Sequence, residues 1–171
     1  MGHNSFGHPE YDTTRSAIGE LLHRLKYRGD ATAIGPLAEA AATFLLPRRD
    51  KVDGLVPVPP SDPARRPQPV MEIAAEICRR TGITLCTGCI SKVKATPQLK
   101  DVSDPAQRAQ ILADAFVVDR SQTEGKALLV FDDLYRSGVT AGAITRLLQD
   151  EDKGAASRVY LLTLTQTRRN A

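Results

Sequence analysis

A chain of 171 residues with 42% hydrophobic and 25% charged content has the size and balance of one globular domain, or of one domain with a small appendage. No apolar stretch approaches the ~20 residues of a membrane-spanning helix, and the opening MGHNSFGHPEYDTT lacks the basic-then-apolar build of a secretion signal. Both lead us to expect a cytoplasmic protein with no membrane partner. The net charge of +3 suits an anionic small ligand as well as nucleic acid, and an aromatic content of 5% leaves few rings for stacking bases.

Residues 1–12 read as a disordered tail. Behind them TTRSAIGELLHRLK (13–26) sets Ile18, Leu21, Leu22 and Leu25 at helical spacing, after threonines able to cap the first turn. Gly29 breaks that helix and Asp30 caps the next, ATAIGPLAEAAATFLL, where Pro36 fits a first turn; Pro47 and RRDK end it. These helices form a unit over 13–50, ahead of a core domain over 51–171. From Gly54, GLVPVPP predicts a strand that runs at once into the loop SDPARRPQP, and VMEIAAEICRRTG predicts a helix stopped by Gly82.

ITLCTGCISKV predicts one or two short strands, and KATPQLKDVSDPAQR is polar and proline-bearing, with a short helix expected around 105–113. AFVVD and ALLVFDD are strands, TAGAITRLLQDE a helix, and SRVYLLTLT the last strand. Strands alternating with helices predict an α/β fold, a parallel sheet covered on both faces.

Cys78, Cys86 and Cys89 are the three cysteines, an odd number with no disulfide framework, which agrees with a reducing compartment. Cys86 and Cys89 form a CxxC, but no second pair or nearby histidine completes a four-ligand zinc site, and they read as ordinary buried thiols at a strand end.

The most informative stretch is ALLVFDDLYRSGVT (127–140). Leu128, Leu129, Val130 and Phe131 anchor a strand whose carboxyl end carries Asp132 and Asp133. In an open parallel sheet ligands bind at that edge, so we expect the two carboxylates at an exposed, solvated tip, accepting hydrogen bonds. Arg136, Ser137, Gly138, Val139 and Thr140 then turn into a helix, directing backbone N–H groups at one point, as proteins do to hold phosphate. Vicinal hydroxyls one sugar away from a monophosphate satisfy both halves, as in ribose 5-phosphate. A metal site and a plain helix cap are the competing readings of the same pair.

The stretch resembles the phosphoribosyl diphosphate (PRPP) binding motif of the type I phosphoribosyltransferases: an apolar strand, two acidic residues, two small or apolar residues, then Thr-Thr-Gly-x-Thr. Asp132, Asp133, Gly138 and Thr140 match it, and Arg136-Ser137 stand where two threonines are usual. LKYRGD (25–30), VPVPPS (56–61), Arg66-x-Gln68, TPQL (96–99), Arg108 and AFVV (115–118) follow in the order of one branch, the ComF-like proteins associated with competence and related to glutamine amidophosphoribosyltransferases. There is no cysteine before Cys78, so the N-terminal zinc finger common in that branch is absent, and its Arg-Gly-Phe-Asn-Gln string is here Arg-Arg-Pro-Gln-Pro.

The resemblance implies a type I phosphoribosyltransferase-like sheet with residues 13–50 as a small helical hood over its carboxyl edge, Tyr27 and Arg28 being candidates to face an acceptor pocket. Asp132 and Asp133 would hold the ribose 2′- and 3′-hydroxyls, residues 136–140 the 5′-phosphate, and Ser61, Arg65 and Arg66 the pyrophosphate. Lys94, at the start of a closing loop that also carries Lys100 and is preceded by Lys92, would assist the leaving group, with Gln98 supporting the loop. PRPP and an unidentified nitrogenous acceptor would be the substrates, with Mg2+ bound through PRPP and not directly by protein.

Three function classes follow. The first is an enzyme, a phosphoribosyltransferase that releases pyrophosphate. The second is a non-catalytic PRPP- or nucleotide-binding protein acting with DNA-processing partners in uptake or recombination. The third is a nucleic-acid binder using Arg48-Arg49-Lys51, Arg65-Arg66 and Arg168-Arg169, which lacks any recognised reading motif. Homo-oligomerisation and the acceptor's identity are left open by the sequence.

Overall fold

A computed structural model describes residues 15–60, 62, 64, 66–94, 111, 112 and 114–167. The tail 1–12, Ser61, Arg65, the TPQL segment with Gln98, Lys100 and Arg108, and Arg168-Arg169 lie outside the described residues, as does most of the helix expected over 105–113.

Helix α1 spans Ala17–Arg28, and its N-cap is Ser16 rather than the upstream threonines: the Ser16 hydroxyl accepts from the Gly19 N–H at 3.1 Å. Gly29, at φ 65°, closes α1 in the left-handed conformation open to glycine. Asp30 caps a 3-10 turn (Ala31–Ala33) that feeds α2, Ile34–Leu45, and a second 3-10 run covers Leu46–Lys51. Strand β1 is Gly54–Pro57, and α3 is Pro69–Thr81, ended by Gly82. Two short strands follow, β2 (Thr84–Leu85) and β3 (Ile90–Lys92). Then come β4 (Phe116–Val118), a single turn α4 (Arg120–Thr123), β5 (Ala127–Tyr135), α5 (Val139–Gln149) and β6 (Arg158–Gln166).

The main sheet has the order β2-β1-β5-β6, every pair parallel. AFVVD forms a strand as expected, but β4 leaves this sheet and pairs antiparallel with β3, Ile90 opposite Val118 and Lys92 opposite Phe116. Each of these three-residue strands buries a single hydrophobic side chain, Ile90 or Phe116, so the pair makes a small ribbon that lies on a core already built.

The pleat sends alternate residues of β5 to opposite faces. Leu129 and Phe131 join Leu22, Leu25, Leu37, Leu55, Ile73 and Ile77, so α1, α2 and α3 cover one face. Leu128 and Val130 join Val56, Ile90, Phe116, Ile144 and Leu148, so α5 and the ribbon cover the other. Among the described residues no helix is long and apolar enough to cross a membrane.

One asymmetry positions everything that follows. Strand β1 ends at Pro57, opposite Phe131, and the Val58 N–H donates to the Phe131 carbonyl at 2.9 Å as the last bond on that side. Prolines at 57, 59 and 60 cannot donate further ladder bonds. On its other side β5 keeps pairing with β6 as far as Tyr135 opposite Gln166. Residues 132–135 are therefore held from one side and open toward the β1 loop. Phe131, with no solvent exposure, anchors this projection. Replacing Phe131 with Ala should cost about 3–5 kcal/mol through lost burial and the cavity left behind, measurable as a lower urea midpoint with an unchanged denaturant slope.

Candidate functional site

The aspartate pair sits inside strand β5, not beyond its end. Because β6 runs alongside, the ladder continues past it: Asp132 is level with Thr163, Leu134 with Thr165, and the Thr165 hydroxyl donates to the Asp133 carbonyl at 3.1 Å. Strand alternation also separates the two carboxylates. Asp133 follows Leu129 and Phe131 toward the α1 side, and Asp132 follows Leu128 and Val130 toward the α5 side.

The environment differs from the solvated tip expected from sequence. Asp133 is 4% exposed, and both its oxygens lie 2.7 Å from Lys26 Nζ. Lys26 arrives on the last turn of α1, so that helix supplies a cation that offsets the cost of burying this carboxylate. Asp132 is half-buried, and its Oδ1 accepts from the Asp133 N–H at 2.9 Å. Burial, and then the neighbouring Asp133 charge, raise its pKa above the ordinary 3.8.

After Tyr135 the chain turns through Arg136 and Ser137, both exposed, to Gly138. Gly138 is the N-cap of α5 at φ 72°, and no side chain caps the helix. The first-turn N–H groups of α5 thus carry the positive end of the helix dipole with no side-chain acceptor assigned to them. A second constraint fixes glycine here: a Cβ would lie 2.3 Å from Tyr135 Oη and 2.8 Å from its Cζ. The tyrosine ring folds back over the turn. Gly138, Val139 and Thr140 therefore make up the uncapped N-terminus of α5.

A cavity of about 570 Å³ separates α1 from the ends of β5 and β6. Arg15, His23, Lys26 and Tyr27 line it from the α1 side, Arg136 and Ser137 from the turn, and Thr165 and Thr167 from β6. The His23 and Tyr27 rings lie 4.9 Å apart, tilted by 37°, and His23 Nδ1 is buried with no hydrogen-bond partner. The cavity thus offers rings, hydroxyls and cations, and Lys26 in its wall links it to Asp133.

Of the expected site residues, the structure brings Asp132, Asp133, Arg136, Ser137, Gly138, Val139 and Thr140 together at one end of the sheet. Tyr27 lines the cavity, whereas Arg28 is not among its walls. Arg66 is exposed in the loop after β1 and its neighbours Ser61 and Arg65 are outside the described residues. Lys94 is exposed just after β3, its N–H 3.5 Å from the Ala115 carbonyl, and no contact among the described residues links it to the aspartates. Sequence reading missed Lys26, His23, Tyr135, Thr165 and Thr167. A cation on the α1 face carrying Leu22 and Leu25 was the available signal for Lys26; nothing local marks the other four.

No protein-family model matches the chain, and no curated protein matches it. Among solved structures the chain is similar to the allosteric regulatory enzyme of purine biosynthesis, with a TM-score of 0.53 and 18% identity over 77% of this chain. The match takes in 26% of that enzyme's chain, so the present chain spans about a quarter of its length. At that identity the likeness shows the fold alone, an α/β domain with its central parallel sheet flanked by helices.

Two stability measurements check this electrostatic picture. Lys26→Met leaves Asp133 buried without its cation and should destabilise by about 1–3 kcal/mol, much of which Asp133→Asn in the same chain should restore. For Asp132 the folded state favours the protonated acid, so its contribution is fully present below the ordinary value of 3.8 and is lost as pH rises through the raised folded value. Asp132→Asn should therefore raise the melting temperature at neutral pH, and the gain should shrink as the pH is taken down through the carboxylate range.

Proposed function

We propose that this chain is a phosphoribosyltransferase of the ComF-like branch, which binds PRPP with Mg2+ and transfers the phosphoribosyl group to a nitrogenous acceptor with release of pyrophosphate. The observation that carries this reading is the juxtaposition at the end of β5. Two carboxylates stand on the strand that leads, through Gly138, into a helix N-terminus with no side-chain cap. The PRPP-motif resemblance of residues 127–140 and the phosphoribosyltransferase-like fold support it, as does a structural neighbour that is an enzyme of purine biosynthesis.

In this reading the 5′-phosphate rests on the N–H groups that open α5, with the Thr140 hydroxyl as a further donor. Asp133 and Asp132 accept hydrogen bonds from the ribose hydroxyls, one from each side of β5. Lys26 then has two states: paired with Asp133 when the sugar is absent, and repositioned when a hydroxyl takes its place. Ser61, Arg65 and Arg66, in the loop opened by the prolines after β1, receive the pyrophosphate, for which guanidinium groups suit the dense charge. Lys94 leads into the segment that closes over the leaving group.

Among the described residues no group of three His, Cys, Asp or Glu side chains forms a metal site, and Asp133 is already neutralised by Lys26. Mg2+ would arrive chelated by PRPP, with no direct protein ligand. When bound, the ion offsets charge growing on the departing pyrophosphate. The protein's own share is positioning and exclusion of water as C1 becomes oxocarbenium-like. The acceptor approaches from the cavity under α1, which His23 and Tyr27 line.

Calorimetry with PRPP and Mg2+, followed by a pyrophosphate-release assay over a panel of bases and amines, tests the reading. Binding should require Mg2+ and fall more than ~100-fold in Asp132→Asn/Asp133→Asn, the equivalent of two charged hydrogen bonds at about 1.5–3 kcal/mol each. Binding without turnover for every acceptor would replace the enzyme with a PRPP-sensing module. Absence of PRPP binding by the folded wild-type chain would end both.

A further inference from the structure

The sequence singles out a second feature that phosphoribosyl transfer does not use, the CxxC of Cys86 and Cys89. Cys86 follows β2 directly, its N–H donating to the Leu55 carbonyl at 2.9 Å. Its sulfur lies over the start of β1, where a Cβ added to Gly54 would come within 2.4 Å of Cys86 Sγ. Only glycine at position 54 leaves room for it. Cys89 is fully buried, packed with Ile90 and Leu128, and its Sγ donates to the Cys86 carbonyl at 3.4 Å.

That bond sets the Cys89 thiol beside Cys86. They are unequal: Cys86 is half-buried and open to solvent, Cys89 sealed behind it. The sequence reading of both as ordinary buried thiols therefore fails for Cys86. Cys78 is not part of the pair, because it packs into the core on the opposite face of the sheet.

We propose that Cys86 and Cys89 form a thiol–disulfide exchange site, with Cys86 as the attacking sulfur, Cys89 as the resolving sulfur and a low-molecular-weight disulfide as the oxidant. The Cys86 thiolate attacks one sulfur of the disulfide, whose S–S bond breaks, and the first thiolate leaves and takes up a proton. Cys89 gives up its proton and attacks Cys86 Sγ, displacing the second thiolate, which is protonated in turn. The protein dithiol loses two electrons and two hydrogens, and the small disulfide becomes two thiols. The roles follow from access for the first step and contact for the second.

The charges around the pair agree. The hydrogen bond from Cys89, and then the Lys126 ammonium, hold the Cys86 thiol down to about 7 against its burial. The same bond, with burial, pushes Cys89 upward, and burial raises Cys78 to about 11. A low-lying thiolate beside a protonated partner is the division that exchange requires.

Incubation of the full chain with graded ratios of glutathione disulfide to glutathione, with mass analysis and peptide mapping, tests the proposal. Wild type and Cys78→Ser should lose two hydrogens and yield a Cys86–Cys89 linked peptide. Cys89→Ser, or Cys89→Ala if the serine variant unfolds, should accumulate glutathione on Cys86, whereas Cys86→Ser should react roughly tenfold more slowly or less. Limited iodoacetamide treatment of the unaltered chain should label Cys86 ahead of Cys78 and Cys89. A wild type that stays a dithiol in excess glutathione disulfide, a disulfide that includes Cys78, or equal reactivity of the Cys86 and Cys89 variants would each overturn it.

Discussion

Strand β5 is hydrogen-bonded on both sides as far as Phe131 and on one side beyond it, and the site depends on that change. Up to Phe131 the strand is the middle of the sheet and wholly apolar. Beyond it β6 continues to satisfy one edge of the backbone, while the prolines after β1 withdraw the other neighbour. A polar stretch can then stand on a strand rather than on a loop, leading directly into the turn to α5. The candidate site is thus a polar continuation of the core strand.

Placing aspartates there has an electrostatic cost, met differently on the two sides of the strand. Asp133, facing α1, receives a buried partner in Lys26. Asp132, facing α5, accepts from the Asp133 N–H, and its pKa rises through burial and then the adjacent charge. Such groups are held against their own solvation preference, the usual condition of side chains kept for a ligand rather than for stability. The Lys26 bond also makes α1 part of the site, since the helix that walls the cavity carries the cation that occupies the carboxylate.

The two chemistries inferred for the chain use different parts of one sheet. Carboxylates and a helix N-terminus gather at the carboxyl end of β5, where strands stop and loops begin. The unequal thiols gather beside Gly54 at the start of β1, where the absence of a side chain makes space for sulfur. The likeness to a purine-biosynthesis enzyme extends to the fold, and the distinctive features of this chain, Arg136-Ser137 in the turn and the CxxC, lie on top of it.

The sequence alone determined much of the local structure. Gly29 and Gly82 mark helix ends because left-handed backbone is cheap only for glycine, alternating strand and helix patterns announce a parallel sheet, and DDLYRSG announces a carboxylate pair ahead of a glycine-led helix start. Each is a property of a few consecutive residues. The departure of β4 from the main sheet, the burial of Asp133, the bond to Lys26 from more than a hundred residues away and the inequality of Cys86 and Cys89 were decided by tertiary structure. All four depend on which surfaces meet. Solvent exclusion and charge pairing are set by neighbours in space, and the carboxylates read from sequence as solvated groups at a strand tip acquire their buried, paired character only once α1 has packed against the sheet.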